Sequence, residues 1–407
     1  MVQNTNPGGL ALAMTQEQRE AFLRYRAGKN TRPNEETALM ISYIHSDDCV
    51  RDLQRLVQRD YSFVPPPHHY RIPKNFSGRK RDVYVCKGTF GYLLKLISYC
   101  MREQEVLFSA GLYSFRKSRT AKDFLLKLRK SGHIGDYYIV KADISNYVGS
   151  IVPEKIIPKL EELWNDDPAL VDLLKFLLLR RECIERDGSV VSCEPGGLGG
   201  LPQGNLFMNV YLMELDDYFY PRSPLYCRYS DDIIIFARDR EEAQEYYNSF
   251  MNILKEKKLT INPDKTRIIE PGGAVDILGF RLKDGTMDIS PHAKDKIKRK
   301  IRMHANRLLK KKHETGISSE ECGRAMIRYC NRLFFENSKN ELTWARWLFP
   351  LITDTSSLKE LDHYVQTAIR YCLCGSMSEK RFRATYEDLQ KLGYKSIVHA
   401  YYHFEIP

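Results

Sequence analysis

An acidic doublet between two apolar runs constrains the fold of this chain most strongly. In the segment LYCRYSDDIIIFARD, Asp231 and Asp232 separate two runs of aromatic and aliphatic residues that favour strands. The pattern predicts a β-hairpin with both carboxylates at its turn. Adjacent carboxylates repel each other unless a divalent cation neutralises them, and such hard oxygen ligands suit Mg²⁺, with Mn²⁺ as the alternative. A solvated Asp-Asp turn is the competing interpretation of the doublet alone.

A third aspartate ends another predicted strand. The segment YYIVKADIS is rich in aromatic and β-branched residues and contains Asp143 at the end of its apolar run. If this strand and the hairpin are neighbours in one sheet, Asp143, Asp231 and Asp232 converge. Three carboxylates at one place could hold two metal ions for phosphoryl transfer from a triphosphate to a hydroxyl. The sequence therefore predicts a metal site made of these three aspartates.

The distribution of strand and helix patterns predicts the fold class. Strand patterns concentrate between Arg71 and Leu282, whereas the chain from Pro291 onward has helical periodicity. This distribution favours an α+β fold with a separate helical domain. The predicted divisions are an N-terminal helical extension at 1–64, a mixed α+β domain at 65–288 and a helical C-terminal domain at 289–407.

Composition narrows the classes of partner and compartment. Lys and Arg outnumber Asp and Glu by 63 to 52, giving a formal net charge of +11. This balance favours a polyanionic partner, either nucleic acid or an anionic membrane surface. No apolar run approaches the roughly 20 residues of a membrane helix, so no membrane span is expected. The ten cysteines contain no C-x-x-C pair, which disfavours structural zinc, and without a signal peptide they indicate reduced thiols in the cytoplasm.

Five motifs follow one another in a characteristic order. They are VKADISNY, GGLPQG, YSDD, INPDKT and ILGF. This ordered series resembles the successive motifs of the reverse-transcriptase family, and the upstream segment YSFRKSR resembles the family's finger-region motif. The resemblance extends from about Arg71 to Phe280. It implies a right-hand polymerase with fingers and palm, an antiparallel palm sheet flanked by helices, and a C-terminal α-helical thumb.

The resemblance also implies roles for individual residues. Asp143, Asp231 and Asp232 match the metal-binding positions, and Lys265 is similar to the lysine proposed to protonate the leaving pyrophosphate. The candidate nucleotide-binding residues are Lys80, Arg81, Ile144, Tyr147, Val148, Gln203, Gly204 and Tyr229. The candidate residues for binding primer or template are Gly279, Phe280, Lys298 and Arg302.

A basic amphipathic helix is predicted near the start of the C-terminal domain. The segment PHAKDKIKRKIRMHANRLLKKKH contains ten Lys and Arg residues, and Ile297, Ile301, Ala305 and Leu308 recur on one face. Next to a polymerase core, such a helix is expected to bind the phosphates of a template–primer duplex, as a thumb does. A solvated helix face and a contact with an acidic membrane are the alternatives.

Two departures from the family pattern bear on the substrate. Val148 occupies the position five residues after Asp143, where members usually carry a bulky aromatic wall against the ribose 2′-hydroxyl. Either Tyr147 substitutes for that wall, or discrimination between sugars is relaxed. The helix after Gly204 lacks about one turn, because only four residues separate Gly204 from Asn209. The shorter helix opens the way to untemplated or specialised synthesis.

The C-terminal segments point to a class within the family. ILGF, in place of the V-T-G pattern of retrons, together with RWLFPLIT and LGYKSIVHAYYHF, resembles group II intron-like and stand-alone prokaryotic reverse transcriptases, including those of phage defence. The resemblance implies a cytoplasmic enzyme that copies a dedicated noncoding RNA into DNA from dNTPs, acting against phage as a homo-oligomer or with an effector protein. Template-independent or protein-primed synthesis, and an idle RNA-binding scaffold, are the alternatives.

Overall fold

The computed structural model divides the chain into two compact units. It describes residues 9–29, 34–73, 80–132, 134–194, 196, 199–335, 343–375 and 384–404. Unit 1 comprises Met1–Phe124 and Tyr137–Glu270, and unit 2 comprises Leu125–Asp136 and Pro271–Pro407. The predicted N-terminal extension is thus part of unit 1. The assignment of fingers, palm and thumb to particular ranges stays a prediction.

Helices account for most of the described residues. They are α1 (Gly9–Met14), α2 (Gln16–Lys29), α3 (Glu35–His45), α4 (Asp47–Val57), α5 (Gly88–Met101), α6 (Ala121–Lys130), α7 (Pro153–Leu163), α8 (Pro168–Leu179), α9 (Gly204–Tyr211), α10 (Met213–Phe219), α11 (Arg240–Glu256), α12 (Pro291–Thr315), α13 (Ser319–Phe334), α14 (Trp344–Leu348), α15 (Ser356–Cys374), α16 (Tyr386–Lys391) and α17 (Ile397–Tyr402). Within the described ranges, no helix combines the length and the apolar character needed to cross a membrane.

The strands form three sheets. They are β1 (His68–Pro73), β2 (Lys80–Val85), β3 (Tyr138–Asp143), β4 (Glu182–Ile184), β5 (Val190–Ser192), β6 (Tyr226–Tyr229), β7 (Asp232–Ala237), β8 (Arg267–Ile269), β9 (Val275–Ile277), β10 (Phe280–Lys283) and β11 (Thr286–Ile289). Sheet A has the order β2-β1-β4-β5, sheet B the order β6-β7-β3-β8, and sheet C the order β11-β10-β9. The predicted α+β class is confirmed.

Sheet B is antiparallel throughout and lies in the core of unit 1. Its central strands, β3 and β7, have the sequences YIVKAD and DIIIFA, and the stretch from Ile233 to Ala237 is fully buried. A strand this apolar on both faces needs cover on both faces. Helix α11 packs against β3 and β7. The two strands therefore give the polar residues at their ends a rigid support.

Sheet A consists of two hairpins joined at one point. β1 and β2 pair antiparallel from His68↔Val85 to Pro73↔Lys80. Their connecting loop, with Ser77 and Gly78, lies outside the described residues. β4 and β5 pair with each other, and β4 joins β1 through the single parallel pair His68↔Ile184. The strands β4 and β5 were not predicted.

Three stretches of helical pattern are each divided into two helices. The segment from Glu35 divides into α3 and α4 at Ser46, whose backbone is extended. The segment from Pro153 divides into α7 and α8, because Asp167 caps the second helix by accepting from Leu170 N at 3.0 Å. Pro168 follows at the first helical position, which suits its fixed φ. The segment after Gly204 ends α9 early and resumes as α10.

Unit 2 combines sheet C with the C-terminal helices. The longest of them, α12, buries Ile297, Ile301, Ala305 and Leu309. Three of these four positions were predicted. The predicted fourth, Leu308, is only half-buried. The correction has a helical cause, because Leu309 lies one full turn beyond Ala305 and so stays on the same face.

A buried ion pair connects sheet B to α9 and α10. Arg228 on β6 and Asp216 on α10 have side chains that are 0% and 1% exposed. Arg228 Nε lies 2.8 Å from Asp216 Oδ1 and Nη2 lies 2.5 Å from Oδ2, while the guanidinium also donates to the carbonyls of Met208 and Asn209. The Tyr226 hydroxyl donates to Asp216 at 2.7 Å. Both charges are therefore compensated by several hydrogen bonds, as a buried pair requires.

Removing one partner of this pair should destabilise unit 1 strongly. Arg228→Met leaves the Asp216 carboxylate buried and uncompensated, which typically costs about 3–5 kcal/mol. We expect a lower urea midpoint and faster hydrogen exchange in the β6 and β7 amides. The matched control is Arg281→Met, because Arg281 makes the same two-bond contact with Asp276, at 2.7 and 3.1 Å, in a partly exposed position. That change should cost below about 1 kcal/mol. Equal losses in the two variants would contradict this role of the buried pair.

Candidate active site

The three aspartates singled out in the sequence meet at one end of sheet B. Asp143, the last residue of β3, pairs directly with Asp232, the first residue of β7. Asp231 lies in the turn before Asp232, and its carbonyl oxygen accepts from Ile144 N at 3.2 Å. Ser230, which shares that turn, has a φ of 61°, in the left-handed region that a tight two-residue hairpin requires. Backbone pairing thus sets Asp143 opposite Asp232, with Asp231 adjacent in the turn.

Two lysines lie against these carboxylates. Lys265 Nζ is 2.9 Å from Asp143 Oδ1, and Asn262 Nδ2 is 3.4 Å from Asp143 Oδ2. The ammonium group of Lys141 contacts Asp232 Oδ1. Burial lowers the pKa of Lys141 to about 8, against an ordinary value of 10.5. The carboxylate cluster is therefore partly neutralised by two cations of the chain itself.

The donor set suits a hard divalent cation. All three groups offer carboxylate oxygens, the ligand type that Mg²⁺ and Mn²⁺ prefer. Asp232 Oδ1 is buried and has no hydrogen bond of good geometry, even with the Lys141 ammonium against it. A buried carboxylate oxygen is costly unless a cation compensates it, and Lys141 supplies one cation here. The residues present therefore fit the predicted metal, although their role as ligands stays a prediction.

Several residues of the site were not singled out in the sequence. Lys141 lies two positions before Asp143, so the alternation of a strand already puts both on one face of β3. Asn262 stands in the INPDKT motif, three residues before Lys265, and its backbone N–H donates to the Asp143 carbonyl at 2.7 Å. The Arg228–Asp216 pair joins two different elements. Of these residues, only Lys141 could have been found from a local sequence pattern, the alternation of side chains along β3.

Three candidate residues after Asp143 differ in side-chain exposure. Ile144 is buried, and Tyr147 is only 3% exposed, with its hydroxyl donating to the Met208 carbonyl. The alternative in which the Tyr147 ring forms the sugar wall does not fit this position. Val148 is half-exposed and lies against the glycine loop, because a Cβ built on Gly199 would be 3.1 Å from Val148 Cγ1. Val148 is therefore the side chain of the three that a nucleotide could touch.

The other candidate nucleotide-binding residues occupy unit 1. Gln203 is fully buried, and its Nε2 donates to the Leu94 carbonyl at 2.9 Å, so its side chain supports α5. Gly204 begins α9. Tyr229 is half-buried at the end of β6, with its ring 6.5 Å from that of Phe115. The remaining two candidates, both exposed at the start of β2, are Lys80 and Arg81.

The candidates for primer or template binding belong to unit 2. Gly279, with a φ of 93°, forms the turn between β9 and β10, and Phe280 is buried with its ring 6.1 Å from that of Trp347. Phe280 is thus a core residue of unit 2. Lys298 is paired with Glu360 and lies over the Tyr364 ring. Arg302 is exposed on α12, where it is accessible to a phosphate.

Solved structures of low sequence identity share parts of this chain trace. Apo telomerase from Candida tropicalis is 10% identical, with a TM-score of 0.44 over 85% of this chain and 66% of that chain. Telomerase from Candida albicans, in complex with the TWJ fragment of telomeric RNA, is 12% identical, with a TM-score of 0.43 over 81% and 64%. The BmCPV RNA-dependent RNA polymerase at its elongation state is 10% identical, with a TM-score of 0.42 over 69% and 29%. The chain spans less than two thirds of each of these proteins.

Family assignment rests on sequence. No curated protein sequence matches the chain. Residues 72–282, more than half of the chain, match the family described as reverse transcriptase (RNA-dependent DNA polymerase). The matched range agrees with the range of the ordered motifs and contains Asp143, Asp231 and Asp232. The predicted polymerase fold and the predicted enzyme class are confirmed at the level of the family. The chain belongs to the reverse transcriptase family, whose members are RNA-directed DNA polymerases and thus nucleotidyltransferases.

Proposed function

We propose that this protein is an RNA-directed DNA polymerase that uses Asp143, Asp231 and Asp232 to hold two Mg²⁺ ions. One observation carries the proposal: the pairing of Asp143 with Asp232 across β3 and β7 sets the carboxylates side by side, with Asp231 adjacent in the turn. When bound, the ions would lower the pKa of the attacking 3′-hydroxyl and stabilise the leaving pyrophosphate. Mn²⁺ would satisfy the same oxygen ligands.

The chain's own residues would supply the rest of the reaction. Lys80 and Arg81, exposed on β2, would bind the phosphates of the incoming nucleotide, since guanidinium and ammonium groups match phosphate oxygens. Lys265 would donate a proton from Nζ to the pyrophosphate oxygen as the bond breaks. Val148 would face the sugar. Its small side chain would reject the 2′-hydroxyl only weakly, and dNTPs are proposed as the substrate on the family resemblance.

The biological setting is proposed on resemblance. The ILGF hairpin and the C-terminal segments support a stand-alone prokaryotic enzyme of the intron-like or defence-associated type. We propose a dedicated noncoding RNA as template and DNA as product, in the cytoplasm, with a homo-oligomer or an effector protein as partner. In α12, Arg302 and its exposed basic neighbours would bind the phosphates of the duplex.

A second candidate function is untemplated or protein-primed synthesis. The observation that favours it is the break after α9. This helix begins at Gly204 of the glycine loop and is only 8 residues long. Sequencing the products made with and without the copurified RNA separates the two functions. Copies of a defined RNA segment support templated synthesis, whereas unchanged products without RNA support the alternative.

The aspartate doublet should be essential for incorporation and dispensable for RNA binding. Asp231→Asn with Asp232→Asn keeps side-chain shape and removes the negative charges, so nucleotide incorporation should fall by at least about 10²–10³-fold. RNA affinity at fixed salt should change little. Asp276→Asn, which alters an exposed carboxylate of unit 2, is the control. If the doublet variant still extends a primer at the normal rate, the chain is not the polymerase proposed here. RNA binding without incorporation in the unaltered protein supports the scaffold.

The two lysines should have separable effects. Lys141→Met removes a cation beside the proposed metal ligands, so the Mg²⁺ concentration for half-maximal incorporation should fall by about tenfold, equal to roughly 1.4 kcal/mol. Lys265→Met should instead lower the maximal rate by about 10²–10⁴-fold, because it removes the proposed general acid. Steady-state rates across a Mg²⁺ titration measure both quantities. An unchanged maximal rate in the Lys265 variant would show that this lysine is only a counter-ion.

A further inference from the structure

Side chains from neighbouring strands meet on one face of sheet A. His69 on β1 pairs with Tyr84 on β2, and the β1–β4 register sets Glu185 level with His69. Because side chains alternate between the faces of a sheet, residues two positions away share the face. Asp82 and Cys183 therefore lie on the same face as His69. This face belongs wholly to unit 1.

The His69 ring is held between two carboxylates. Its Nδ1 lies 2.7 Å from Glu185 Oε1, and its Nε2 lies 2.8 Å from Asp82 Oδ1. The ring is buried, although both carboxylates reach solvent. Burial lowers the pKa of His69, but the hydrogen bonds to Glu185 and Asp82 outweigh burial and raise it. A protonated histidine between two acids is therefore one way to explain this cluster.

Two thiols make that explanation incomplete. Among the described residues, the donor atoms of His69, Cys183 and Glu185 all lie within 4.8 Å of one another. The Cys193 thiol, which follows β5, neighbours that of Cys183 just outside this group, and the two cysteines form no disulfide. An ion triad of His69, Glu185 and Asp82 does not account for the neighbouring thiols. One imidazole nitrogen, two sulfurs and a carboxylate oxygen are, by contrast, a donor set that zinc accepts.

Three of the four donor atoms lie close enough together for a tetrahedral site, and the Cys193 thiol would have to move toward them to complete it. Zinc binds nitrogen at about 2.0–2.1 Å and sulfur at about 2.3 Å, so adjacent ligand atoms lie roughly 3.3–3.8 Å apart. The contact between His69 Nδ1 and Glu185 would have to open by about 1 Å or less. Asp82 supplies the second requirement, because a metal-bound histidine usually donates its other N–H to a carboxylate. That hydrogen bond fixes which nitrogen of His69 faces the thiols.

An ion at this place would connect two parts of sheet A. β1 and β4 share one residue pair, so few backbone hydrogen bonds connect the two hairpins of sheet A. We propose that His69, Cys183, Glu185 and Cys193 bind one zinc ion that fastens the two hairpins together, with Asp82 as a positioning residue. The zinc would also steady β2, which begins with Lys80 and Arg81. This proposal does not depend on the proposed function.

Cobalt binding tests the proposal without any activity measurement. The full-length protein, stripped with a chelator and kept in excess Mg²⁺, is titrated with Co²⁺. We expect one equivalent to bind with a thiolate-to-cobalt charge-transfer band in the near ultraviolet, and Zn²⁺ to displace it. Cys183→Ser with Cys193→Ser should abolish the band. Asp82→Asn should keep the band and weaken metal affinity by about 10–100-fold, because Asp82 acts on the metal only through its hydrogen bond with His69.

A second pair of neighbouring thiols provides a matched control. The thiols of Cys322 and Cys372 in unit 2 are also neighbours, and among the described residues they belong to no such group with a histidine. Cys322→Ser with Cys372→Ser should leave cobalt binding unchanged. Absence of the band in the unaltered protein overturns the proposal even if the variants fold poorly. Persistence of the band without Cys183 and Cys193 overturns it as well, and leaves His69 as an ion-paired histidine only.

Discussion

The backbone pairing of β3 with β7 is the interaction on which the candidate active site depends. It fixes Asp143 opposite Asp232 by backbone hydrogen bonds, so the main chain places these two carboxylates. A slip of one residue would turn Asp143 to the other face and bury a charge in the apolar core. The apolar run after Asp232 makes that slip expensive. The fold therefore protects the site by the same burial that stabilises it.

The Arg228–Asp216 pair extends this control to the helices. Arg228 lies one residue before Tyr229, at the start of the turn that carries the acidic doublet, and reaches the last carbonyls of α9. The family motif around Gly204 and the acidic doublet thus belong to one hydrogen-bonded structure. Solvent does not reach the two charges, so salt has little effect on their attraction. A motif in the sequence is here connected to another motif by residues outside both.

Local patterns predicted the parts of the fold that depend on neighbours in sequence. The strand ending at Asp143 and the hairpin carrying Asp231 and Asp232 have mainly apolar runs and a tight turn, so they were predicted correctly. β11 was missed, although Asp284 and Gly285, both with positive φ, form the type of two-residue turn that signals a hairpin. β4 and β5 are three residues each and too short to show alternation.

Contacts between distant segments could not be predicted in the same way. His69 and Glu185 are 116 residues apart, and neither segment has a local pattern that predicts contact with the other. The expectation of no structural zinc rests on the absence of a C-x-x-C pair and stays untested, since that rule considers only ligands close in sequence. The buried position of Tyr147 also depends on its hydroxyl reaching the carbonyl of Met208. Sequence periodicity shows that a residue is apolar or polar, and packing decides which of its neighbours it meets.

The charge of α12 has one more consequence. Lys294 and Lys298 are both paired with Glu360 of α15, so part of the helix's positive charge is already neutralised within unit 2. A polyanion approaching this helix would displace fewer of its own counterions than ten basic residues suggest. The affinity of α12 for the polyanion would then fall less steeply as ionic strength rises. Glu360 therefore reduces the effective positive charge of this helix surface.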